Sequence, residues 1–115
     1  MARIGVHYED REPGVELPQA SSEEAANADA FFKYTFPAVR RYRLDFAALA
    51  AARTRIILAG GRQGRAYRAY RGAVAVAERL GTTVVEFPGD HMGYMTHPKA
   101  FAARLREVLG DEQGK

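Results

Sequence analysis

The sequence predicts an α/β fold, a short parallel sheet of about three strands with helices packed on it. Three observations predict it. Short apolar or alternating runs recur at residues 3–8, 55–59 and 83–87. Amphipathic helical spacing fills residues 66–80 and 98–109, between and after those runs. Glycine and proline mark the places where one period gives way to the other. Apolar runs this short, alternating with helices, read as parallel strands buried under their crossovers.

The elements follow in order. In residues 3–8, Ile4, Val6 and Tyr8 alternate onto one face, as in a strand, and His7 lies on the opposite face as a buried, hydrogen-bonded histidine. Residues 10–20, with Pro13, Gly14 and Pro18, form a loop. Residues 21–52 are a helical insert. Ser21 is followed three positions on by Glu24, the spacing of a capping box, and a helix runs from there to about Tyr34. Pro37 breaks it, and Asp45 caps a short helix over 46–52. The run at 55–59 is closed by Gly60 and Gly61. In 66–80, Tyr70, Val74, Ala77 and Leu80 share one helical face, and Gly81 supplies the left-handed residue that ends it. The β-branched run at 83–87 stops at Pro88 and Gly89. Pro98 opens the last helix, whose apolar face is Phe101, Ala102, Leu105, Val108 and Leu109, and the tail after Gly110 frays.

A chain of 115 residues suits a single domain, 1–115, and 47% apolar with 27% charged residues is the composition of a soluble globular protein. The absence of cysteine excludes disulfides, thiolate metal sites and a cysteine nucleophile. No apolar run approaches the roughly 20 residues that span a bilayer. The first ten residues lack the apolar stretch of a secretory signal, so a cytoplasmic protein is expected. The net charge of +3 is unevenly placed: Arg40, Arg41 and Arg43 form one cluster, and Arg62, Arg65, Arg68 and Arg71 another. Both read first as solvated surface. The second, beside Gly60, Gly61 and Gly64, also reads as a weak anion site, with Gly64 in a turn that presents backbone N–H groups and Arg62, Arg65 and Arg68 as counter-charge. It lacks the Lys-Ser/Thr of a P-loop. His7, His91 and His97 show no metal-ligand spacing, no cofactor is expected, and one helical face accounts for the interleaved arginines and tyrosines without nucleic acid.

The end of the chain carries a resemblance. Gly89-Asp90-His91 after a strand, then Met92 to Thr96, then His97-Pro98 opening a helix with Phe101 and Leu105, resembles the end of an α/β-hydrolase. It is specific over residues 84–109. The resemblance implies that His91 is the catalytic base, that 21–52 is a shortened cap, and that Glu9 or Asp10, after the first strand, orients His91. It also implies an ester-type substrate. The family's Gly-x-Ser-x-Gly elbow has no counterpart here, since the serines are Ser21 and Ser22, placed to cap a helix. Three readings follow. One is a hydrolase part that works with a companion chain carrying the nucleophile, or by water attack assisted by His91. A second is a non-catalytic homodimer paired antiparallel through the edges of residues 3–8. The third is a small-anion-binding module centred on Arg62, Arg65 and Arg68.

Overall fold

The computed structural model describes residues 7–17, 19 and 21–110. Residues 3–6 of the first expected strand, and the tail expected to fray, lie outside the described residues. The two remaining residues of that strand are not extended in a ladder: His7 has no regular structure and Tyr8 starts a turn. Among the described residues the sheet therefore has two strands, β1 (Ala59–Gly61) and β2 (Val85–Phe87), paired in parallel with Ala59 opposite Val85 and Gly61 opposite Phe87.

Both strands are shorter or later than the sequence runs that mark them. The run at 55–59 leads into the ladder, and Leu58 is its first participant, accepting a hydrogen bond from the Val85 N–H at 2.8 Å. Hydrophobicity selects which stretch is extended, but pairing needs a neighbour, and β2 offers one only from Val85 to Phe87.

The crossover between the strands is α4 (Arg68–Leu80), which packs on β1, and Gly81 closes it in the left-handed region at φ 72°. Helix α6 (Pro98–Gly110) packs on β2, and Arg104 Nε donates to the Glu86 carbonyl at 3.0 Å. A four-residue helix unmarked by the sequence pattern, α5 (Gly93–Thr96), precedes it. The core lies between these layers: Phe87 and Phe101 meet at 4.9 Å between ring centroids, with Ala77 and Val108 also buried.

Residues 22–41 depart from expectation. Helix α1 (Ser22–Ala30), capped by the Ser21 hydroxyl on the Glu24 N–H, does not end before Pro37. It passes through a π-turn, Phe31–Thr35, into α2 (Phe36–Arg41). Proline breaks an α-helix because it has no N–H to donate and its ring strikes the preceding turn. Here the Phe36 N–H reaches back five residues to the Phe31 carbonyl, so the helix is widened just before Pro37, which stands in the first turn of α2. The short helix α3 (Phe46–Ala51) is capped by Asp45, whose Oδ1 accepts from the Ala48 N–H at 3.0 Å, and it meets α4 through Arg79 stacked 4.0 Å over the Phe46 ring. No helix of the described residues is long and apolar enough to cross a membrane.

Candidate functional site

The site is built on the loop that follows β2. Gly89 takes φ 82°, a conformation that side chains disfavour, and a Cβ there would also meet Gly93 and the His97 ring at under 3 Å. The chain can then turn sharply, and Asp90 is drawn inside at 6% exposure. Its Oδ1 accepts from the Met92 N–H at 3.0 Å, a local turn that has His91 at its tip. Its Oδ2 accepts from the His7 N–H at 2.5 Å, and His7 Nε2 lies 3.2 Å from the Tyr67 hydroxyl. The buried carboxylate thus ties the start of the described chain to the loop. His7 is hydrogen-bonded but half exposed, not buried as expected. The opposite side is tied too: the Gln63 N–H donates to the Gly89 carbonyl at 2.9 Å.

His91 itself is exposed, and among the described residues it has no hydrogen-bond or ion-pair partner. It stands at the rim of a cavity of about 410 Å³ walled by Tyr70, Phe87, Tyr94, Phe101 and Leu105, with Gly60, Gly61 and Gly64 along one side. A histidine with free ring nitrogens beside an apolar cavity is placed to take and return a proton.

The structure does not bring the expected carboxylates to it. Glu9 lies 3.7 Å from His7 Nδ1, and Asp10 3.7 Å from His97 Nε2. The loop from residue 9 is held against α6 instead, because the Glu12 carboxylate accepts from the Lys99 and Ala100 N–H groups at 2.9 and 3.3 Å. A carboxylate there answers the open donors and positive end of the helix. His97 is a packing residue: its Nδ1 meets the hydroxyl of fully buried Thr96 at 2.9 Å.

Nor is the expected anion site assembled. Arg65 makes a two-pronged contact with Glu86, Arg62 Nε lies 4.0 Å from the same carboxylate, and Gly64 is buried against Asp90. Arg68 is exposed. The positive charge that an anion would need is already answered by a residue of β2. The Tyr70 hydroxyl also donates to Glu86, at 2.5 Å. Hydrogen bonds from Arg65, then Tyr70, hold the Glu86 carboxyl down to about 2, while the same bond to Glu86, with burial, raises the Tyr70 phenol. Sequence reasoning missed Glu12, Glu86 and Tyr70 as partners. Each acts across 16 residues or more of chain, and only Glu86, a charge inside an apolar strand, carried a local sign of it.

No family model matches this sequence, and no solved structure matches it. Among curated proteins it is similar to YraK of Bacillus subtilis (strain 168), an uncharacterized hydrolase, with 41% identity over 91 residues. That similarity covers 76% of this chain and 34% of the relative, so the chain spans about a third of the length of the curated relative it matches. The similarity supports a hydrolase-like relationship.

Proposed function

We propose that this chain is the histidine-bearing part of an α/β-hydrolase-type enzyme acting on ester-type substrates, with His91 as general base. The observation that carries the reading is His91 itself: an imidazole without a partner among the described residues, past the end of a parallel strand and at the mouth of an apolar cavity. The similarity to a hydrolase supports it independently. In this reading His91 takes the proton from an attacking hydroxyl as the bond to the ester carbonyl forms, then returns it to the leaving alkoxide.

In this reading the attacking hydroxyl is supplied from outside these 115 residues. Ser21 is committed to its helix cap, Ser22 begins the same helix, and Thr96 is buried in its bond to His97. The acid that orients His91 is likewise supplied from outside these residues, since Glu9 and Asp10 face other histidines.

The test is hydrolysis of short-chain aryl esters by the chain alone, and by the chain mixed with the complementary two thirds of the Bacillus relative. The chain alone is expected to add little to buffer hydrolysis. The mixture is expected to turn over, and His91→Ala to lower its rate by about 10²- to 10⁴-fold. Turnover that survives His91→Ala, or a mixture with no activity, would overturn the proposal.

A further inference from the structure

Ser22–Arg41 forms one continuous helical rod, since the residues at both junctions of the π-turn keep helical backbone angles. Its segments pack chiefly on one another and not on the sheet. Phe31, Phe32, Phe36 and Val39 are 43%, 55%, 38% and 56% exposed, and the three phenylalanine rings touch each other. A single exposed apolar residue is ordinary, but a contiguous aromatic patch marks a contact surface. Most helical stability in proteins comes from packing of a helix face, which this rod largely lacks among the described residues.

The charge along the rod indicates what covers it. The α1 end carries Glu23 and Glu24 and no base, and the α2 end carries Arg40 and Arg41 and no acid. The midpoint between those pairs is Phe32. An antiparallel copy related by a two-fold axis at Phe32 brings the Glu23–Glu24 end of each rod beside the Arg40–Arg41 end of the other, at both ends of the contact. The exposed phenylalanines lie at the middle of the rod, so the same arrangement brings the aromatic patches of the two copies together. Phe32 meets its own copy. Rod pairing on a two-fold axis is isologous, and the acid-to-base polarity makes the rod complementary to an antiparallel copy of itself.

We propose that the rod is a self-association surface, occupied by the Ser22–Arg41 rod of a second copy of this chain lying antiparallel on a two-fold axis at Phe32. The interface differs from one through the edge of residues 3–8, and it rests on none of the observations behind the hydrolase reading.

Sedimentation equilibrium of the 115-residue chain tests it. The mass is expected to approach twice 12.7 kDa as concentration rises to about 100 μM. Phe32→Asp is expected to leave monomer. The double reversal Glu23→Lys/Glu24→Lys, and separately Arg40→Glu/Arg41→Glu, each weaken the dimer about tenfold or more, as several charge pairs of modest strength would. Mixing the two reversed chains restores wild-type affinity as a heterodimer, which separates charge pairing from simple failure to fold. A monomeric wild type at about 100 μM would overturn the proposal, and so would a dimer indifferent to Phe32→Asp or reversed chains that gain nothing on mixing.

Discussion

Glu86 is the residue on which the arrangement around the cavity depends. It projects from β2 and takes the guanidinium of Arg65 and the hydroxyl of Tyr70, while Arg62 stands 4.0 Å away. The turn after β1 and the first turn of α4 are thereby fixed to β2 by one carboxylate. Folding holds this carboxyl at about 2, below its ordinary 4.5, so the unfolded chain binds its proton first. The stabilisation is therefore complete above pH 4.5 and is lost as pH falls from 4.5 through about 2. Glu86→Gln is expected to melt lower than wild type at pH 7, and the two melting curves to converge as pH approaches 2, which thermal denaturation across that range checks. A constant gap at every pH would mean that the charge on Glu86 is not what holds the turn. The sequence marked His91 and its loop because Gly89, Asp90 and His91 are consecutive. It did not mark Glu86 with Tyr70 because their contact is made only once the crossover has folded back.

Elements were legible where their signals are local, and misread where a neighbour decides. The spacing of Tyr70, Val74, Ala77 and Leu80, and the glycine after it, are properties of a few consecutive residues, and α4 is found over them. The end of the first helix was misplaced because Pro37 was read as a break, whereas the π-turn before it absorbs the missing donor. The limits of β1 follow from pairing, and its two glycines have a reason that hydropathy does not carry. A Cβ on Gly61 would fall on the backbone of Asp90, so this strand end can lie against the His91 loop only without a side chain. Gly61→Ala is accordingly expected to cost about 3 kcal/mol, the upper part of the overpacking range. Gly72, inside α4 with open space around a Cβ, is the contrast: Gly72→Ala is expected to stabilise by about 0.5–1 kcal/mol. Urea denaturation of the two variants reads both. Opposite signs at these positions distinguish a glycine needed for close approach from one that merely weakens a helix.

At the scale of the whole molecule, a two-strand body and a projecting rod explain the dimensions. The radius of gyration is 16.3 Å, against about 13 Å for a compact chain of this length. Alternation of strand and helix was readable in residues 55–110, and the α/β class with it, but nothing local tells that residues 22–41 stand away from the sheet. Two parts with so little shared surface are not bound to open together, because local stability follows the buried contacts of each part. Amides of α4 and α6, packed on the strands, are expected to exchange slowest in hydrogen-exchange measurements. Those of α1 and α2 depend on whatever covers the rod, so their protection is expected to rise with protein concentration while that of α4 and α6 stays fixed. The body's exchange supplies the internal reference: a rise in both together would reflect global stabilisation of the chain and not coverage of the rod. Fast, concentration-independent exchange confined to the rod would place its stability outside any contact between copies, and the acid-to-base polarity about Phe32 would then have no bearing on how the rod is held.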